Sequence, residues 1–171
     1  VSMEAGKIET LFPLIADSNW KVVALLCSNS GVPENAEGRV VLLEQILSAA
    51  ASYGISEDRL LIDPIVHTLS TDERSFSTFA ECSRAIRQRS SAVHIVSGLS
   101  NISFGLPSRP VINHAFLVLA MQAGMDAAIM DILDREMVGL LHATQALLGD
   151  DEYCMDYISA FREGKFGAKK E

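Results

Sequence analysis

The chain has 171 residues, 49% of them hydrophobic and 21% charged, a composition that can bury a core. Fourteen Lys and Arg stand against 22 Asp and Glu, a net charge of -8 with no basic run, which argues against nucleic acid or an anionic membrane as partner. Cys27, Cys82 and Cys154 are too scattered for a disulfide framework or a metal motif, so a reducing cytoplasm is the expected compartment. No apolar stretch reaches the ~18 residues of a membrane span, and the N-terminus lacks the pattern of a signal peptide.

In chain order, residues 4–18 have helical spacing with Pro13 as a weak point. "KVVALLC" at 21–27 is the first of four continuous apolar runs, the pattern of strands covered on both faces. Ser28 and Asn29 follow, then a helix at 36–54. "RLLIDPIV" at 59–66 is the second strand, succeeded by a helix at 72–88. "SAVHIVSGLS" at 91–100 is the third, with a helix at 110–124 beyond it, and "DAAIMDIL" at 126–133 is the fourth, followed by a helix at 135–149. Gly54, Gly124 and Gly149 are helix stops and Asp134 is an N-cap. The tail at 163–171, "EGKFGAKKE", reads as a solvated, frayed end.

One helix and then four βα units predict a parallel sheet with right-handed crossovers, either doubly wound or part of a (β/α)8 barrel. In both architectures functional groups gather where strands end. Polar residues cluster there: Ser28 and Asn29, Asp63, Ser100 and Asn101, and Asp131.

Asp63 interrupts an apolar run, where a carboxylate needs donors. It reads equally as an acceptor for a ligand's N–H groups or for backbone donors of a nearby loop. Asn101 offers both a donor and an acceptor at a strand end, either for a reacting heteroatom or for an Asx turn. Gly98 and Gly105 allow close approach of the backbone without making a phosphate loop. Arg109, beside Pro110 at a helix start, suits a ligand oxygen or a solvated surface equally. Asp131 is a further candidate for the cleft. His94 reads as a satisfied core histidine, His142 as a surface one, and no His or Cys spacing makes a metal site.

Three stretches, "GLSNISFGLPSR" at 98–109, "LIDPIVHTLSTD" at 61–72 and "INHAFLVLAMQAGMDAAIMD" at 112–131, resemble the methyltetrahydrofolate:corrinoid protein methyltransferases, a group within the pterin-binding (β/α)8 barrels. The resemblance implies that Asp63 binds the pterin ring and that Asn101 hydrogen-bonds the methyl-bearing N5. Gly98, Ser100 and Arg109 would complete the wall. It implies methyl transfer from 5-methyltetrahydrofolate, a substrate, to the cobalt of a corrinoid (cobalamin) supplied by a partner protein. A non-catalytic binding or assembly module and a related methyltransferase with another methyl donor are the alternatives.

A full barrel needs about 250 residues. Residues 1–171 are therefore expected to form a pterin-binding domain corresponding to the C-terminal half of a barrel. That half would be completed by an N-terminal half or by a second copy in a homo-oligomer.

Overall fold

The computed structural model describes residues 1–167. Ten helices and strands succeed one another: α1 (Lys7–Ala16), β1 (Val22–Leu25), α2 (Ala36–Ser52), β2 (Leu60–Asp63), α3 (Ser75–Arg89), β3 (His94–Gly98), α4 (Arg109–Gln122), β4 (Ala127–Ile129), α5 (Arg135–Leu148) and α6 (Met155–Arg162). The four strands are all parallel and lie in the order β1-β2-β3-β4. Sequential order without a reversal is that of a barrel segment rather than a doubly wound sheet, where the order turns back at a switch point. The chain is thus an α/β fold built as part of a (β/α)8 barrel.

Alternation along the strands separates two faces. Ala24, Leu60, Ile62 and Ile95 are buried against the helices, among them Phe12, Ile46, Phe79 and Leu117. Phe79 and Phe116 meet edge to face, with ring centroids 5.3 Å apart. Full burial of each such side chain contributes about 1.5–3 kcal/mol. The opposite face carries Val23 and Leu25, Leu61 and Asp63, Val96 and Gly98, and Ile129, as the strand register requires. Leu25 and Ile129 are exposed there, Ile129 at 62%. In a closed barrel this face lines the interior.

Local chemistry explains the element ends. Asn35 caps α2 by accepting from the Gly38 N–H, and Asp134 caps α5 by accepting from the Met137 N–H, as its sequence position predicts. Gly54, Gly124 and Gly149 all have positive φ where the helices stop. At Gly124 space matters as well: a Cβ would come within 2.8 Å of the Arg87 stem, whose Nε donates to the Gly124 carbonyl.

Several expectations need correction. The third strand ends at Gly98, and residues Leu99–Ser103 form a 3-10 turn that buries Leu99 and Ile102 in the core. Residues 1–3 lie alongside β1 as a short parallel neighbour: the Val1 amine donates to the Val23 carbonyl, Leu25 N–H to Val1, and Met3 N–H to Cys27. Residues 152–162, to which the sequence reading assigns no element, form the turn Glu152–Cys154 and a helix, α6.

The tail is not frayed through residue 167. Phe166 is 7% exposed and packs on Tyr157, Phe161 and His142, while Arg135 donates to the carbonyls of Gly164 and Gly167. The rest of that expectation, residues 168–171, lies outside the described residues. His142 is accordingly half-buried rather than a surface residue, with Nδ1 lacking a partner among the described residues. His94 is satisfied but sits on the rim of the sheet, bonded to Asp126 and Lys21. Among the described residues no helix is long and apolar enough to cross a membrane.

Candidate functional site

The C-terminal ends of β2 and β3 stand side by side, since Leu61 pairs with His94 and Ile62 with Ile95. Asp63 is the last residue of β2, level with Leu25 of β1. Its Oδ1 accepts the Ile65 N–H at 2.8 Å, and its other oxygen has no hydrogen bond among the described residues. The backbone-donor reading is therefore met by one oxygen, spent on the N–H of its own loop, while the second oxygen is left without a partner among the described residues. Burial raises its carboxyl pKa from 3.8 to about 6, against the pull of the Ile65 N–H and the Arg39 guanidinium.

The turn after Asp63 is strained. Ile65 has φ 64, a left-handed conformation that a β-branched residue adopts at a cost of about 1–3 kcal/mol. Arg39 of α2 offsets that cost. Only 1% exposed, it donates from Nη1 to the carbonyls of Pro64 (2.9 Å) and Ile65 (2.8 Å), and from Nε to that of Pro33. Further along, the Ser75 hydroxyl bonds both the N–H and the C=O of His67.

The 3-10 turn at the end of β3 carries Ser100 and Asn101. Both are exposed, and the Asn101 amide has no hydrogen-bond partner among the described residues. A Cβ built on Gly98 would lie 3.4 Å from Asn101 Nδ2, so a larger residue at 98 would press on that amide. Beneath the turn, Ser103 is fully buried and donates to Asn113 Oδ1 at 2.7 Å. Arg109 donates to the Ser103 hydroxyl (3.1 Å) and the Ser100 carbonyl (2.7 Å), and its guanidinium lies 5.9 Å from the Phe104 ring centroid. In the free protein Arg109 thus staples the turn that presents Asn101.

The two loops are joined. Leu69 N–H donates to the Ile102 carbonyl, and the Thr68 hydroxyl to that of Phe104 at 2.6 Å. Gly98, Ser100, Asn101 and Arg109 therefore form one unit linked to the Asp63 loop. Asp131, exposed after β4, accepts the Leu133 N–H at 2.8 Å and makes no contact with that unit among the described hydrogen bonds. Ser28 and Asn29, the polar pair after β1, are spent locally: Asn29 Oδ1 accepts the Ala5 N–H and Ser28 Oγ the Ser30 N–H.

Chemically, a free carboxylate oxygen and an unspent amide on adjacent strand ends suit a planar heterocycle bearing N–H donors and a basic nitrogen. Arg39 and Asn113 are the groups that the sequence did not flag. Each sits in a helix pattern that reads as an ordinary polar position, and its partners lie on another element.

Comparison with known proteins points the same way. Residues 4–131 match the model of the pterin binding enzyme family. The chain is 44% identical over 169 residues to a methylcorrinoid:tetrahydrofolate methyltransferase of Eubacterium limosum, covering 98% of this chain and 62% of that protein. It is also 33% identical over 124 residues to a methionine synthase of Mycobacterium tuberculosis, and 38% over 124 residues to one of Mycobacterium leprae, in each case 68% of this chain and 10% of the relative. The chain thus spans less than two thirds of each of these relatives.

Proposed function

The chain belongs to the pterin-binding enzymes, and from that premise we propose that it carries the folate site of a methyltransferase working between N5 of tetrahydrofolate and the cobalt of a corrinoid. The observation that carries this reading is the pair of spare groups at adjacent strand ends, the free oxygen of Asp63 and the amide of Asn101. The name of the Eubacterium limosum relative supports it and makes the methylcorrinoid the donor and tetrahydrofolate the acceptor. The transition state is shared by both directions, so the same residues serve either.

Asp63 accepts from pterin N–H groups and fixes the ring plane, which converts an encounter into an oriented approach. Asn101 Nδ2 donates to N5. As a methyl group leaves N5 its electron pair returns to the nitrogen, and a donor already aimed there stabilises the transition state more than the ground state. The proton that finally resides on N5 comes from elsewhere, because a neutral amide does not ionise near pH 7. Arg109 and Ser103 hold the turn so that Asn101 does not reorganise during the step. Ser100 and Gly98 form the wall beside it, and Asp131 is placed at the rim. The corrinoid, carried by a partner protein, supplies the cobalt that takes or gives the methyl group.

The reading also concerns architecture. β4 pairs only with β3 among the described residues, and Leu25 and Ile129 are exposed on the concave face. We take the chain as one pterin-binding domain that forms the C-terminal half of a barrel, closed by further βα units or by a second copy. Three free cysteines accord with a cytoplasmic setting.

Calorimetric titration of the full-length protein with 5-methyltetrahydrofolate tests the reading. Saturable binding that weakens in Asp63→Ala is expected. Wild-type protein that takes up no folate would overturn it. Transfer itself is followed by the cobalt absorbance change with methylcobalamin and tetrahydrofolate.

A further inference from the structure

We propose that Arg39 is a positioning residue for Asp63, acting from the helix side of the sheet through the Pro64–Ile65 turn. The inference rests on the reading of Asp63 as the pterin acceptor.

The geometry is specific. Nη1 of Arg39 donates to two consecutive carbonyls, Pro64 and Ile65. In an extended chain successive carbonyls point to opposite sides, so a single donor reaches both only where the backbone between them leaves that conformation. Ile65 does so, with φ 64, and its N–H, which lies in one trans peptide plane with the Pro64 carbonyl and points the opposite way, donates to Asp63 Oδ1. A β-branched residue does not choose that region by preference. It is held from one side by a buried guanidinium and from the other by the carboxylate. Arg39 itself is held by the third bond, from Nε to Pro33.

The charges agree with the geometry. Asp63 is flanked on β1 by Leu25 and on β3, by register, by Val96, neither of them charged. The charge acting on it is that of Arg39, which favours the ionised form against burial. Around Arg39 lie Cys82 of α3, whose thiol burial pushes up to about 11 and so keeps neutral, and Asp72 of the loop before α3. Removal of Arg39 therefore frees the turn and raises the pH at which Asp63 ionises.

The test is titration of the full-length protein with 5-methyltetrahydrofolate from pH 5 to 8, for wild type, Arg39→Met, Arg39→Lys, Asp63→Asn and the double variant Arg39→Met/Asp63→Asn. Wild-type affinity should fall as the pH drops through about 6, where Asp63 protonates. Arg39→Met should weaken binding at pH 7 by ~10- to 100-fold through misplacement of the carboxylate and move the midpoint up by about one unit. Arg39→Lys should restore the midpoint, since it keeps the charge, without restoring full affinity, since it lacks the planar fork. In the Asp63→Asn background Arg39→Met should add little.

A folded Arg39→Met protein with wild-type affinity and midpoint would overturn the inference. So would an equal loss in both backgrounds, the signature of a purely structural residue. If Arg39→Met does not fold, Ile65→Gly decides: glycine takes φ 64 without strain but loosens the hold, so affinity should fall several-fold at unchanged melting temperature. Unchanged affinity there removes the role of the turn. Failure of the wild type to bind would bring down the functional reading as a whole. Loss in Asp63→Asn with none in Arg39→Met would bring down this inference alone.

Discussion

The two ends of one sheet treat an aspartate in opposite ways. At the N-terminal end Asp126 receives the Ile95 N–H at 2.7 Å, His94 Nδ1 at 2.9 Å and Arg87 Nη2 at 2.8 Å. Burial works to raise its pKa, but the Ile95 N–H, His94 and Arg87 outweigh it and hold the carboxyl below its ordinary value. At the C-terminal end Asp63 receives one backbone N–H, and burial prevails, to about 6. One end spends its polar groups on the fold. The other leaves them available at an energetic cost, as expected where binding rather than stability shapes the site.

The sharpest way to break this comparison is at the Asn101 amide. Asn101→Ala in a complete barrel should slow methyl transfer by about 100- to 1000-fold, or ~2.7–4 kcal/mol in barrier by analogy with oxyanion donors. Single-turnover kinetics measure it, and an unchanged rate removes Asn101 from the mechanism. Stability should hardly respond, because the side chain is exposed and unbonded.

Asp63→Asn should separate binding from stability. A raised carboxyl pKa means that the folded state holds its proton more tightly than the unfolded one, so stability falls as pH rises from 3.8 to about 6 and stays reduced above. Asn keeps an acceptor for the Ile65 N–H and carries no charge. The variant should be more stable than wild type at pH 7.5 by roughly 1–3 kcal/mol, with the difference fading below pH 4, while pterin affinity is weakened but still measurable. Urea denaturation at both pH values checks the sign.

Asp126→Asn should act in the reverse direction. A lowered pKa contributes stability that is present above the ordinary carboxylate range and is lost as the pH falls through the lowered value. With a half-exposed side chain the change at pH 7 is about 1 kcal/mol or less. It should appear as a lower urea midpoint and a shallower acid limb, at unaltered folate affinity. A fall in affinity would mean that the two ends are coupled.

The sequence carried the strand succession, the glycine stops and the Asp134 cap because each is a local signal. It carried the backbone partner of Asp63 because a lone acid in an apolar run must find donors. Arg39 was not legible: in "AEGRVVLLEQ" it reads as a solvated position, and its acceptors lie 25 and 26 residues away. The turn at 99–103 was hidden because Leu99 and Ile102 extend the apolar strand pattern by composition, although their spacing serves a 3-10 turn. The packing of Phe166 was hidden because a single aromatic between glycines has no period. Its partners come from α5 and α6.

The smallest expected effect lies on the other face of the sheet, at Ser97, the next-to-last residue of β3. Its side chain alternates to the helix face with Ile95, beside Ala128 of β4, and is 1% exposed. The hydroxyl has no hydrogen-bond partner among the described residues. A buried, unmade hydrogen bond opposes folding, so Ser97→Ala should raise the melting temperature slightly, by the equivalent of ~1 kcal/mol or less. Because neighbouring residues of a strand point to opposite faces, the concave side with Gly98 and the Asn101 amide should not register the change, and folate affinity should stay at the wild-type value. A loss of affinity in this variant would show that the helix face of β3 helps set the position of the site. The separation drawn between stability and binding would then hold between the ends of the sheet but not between its faces.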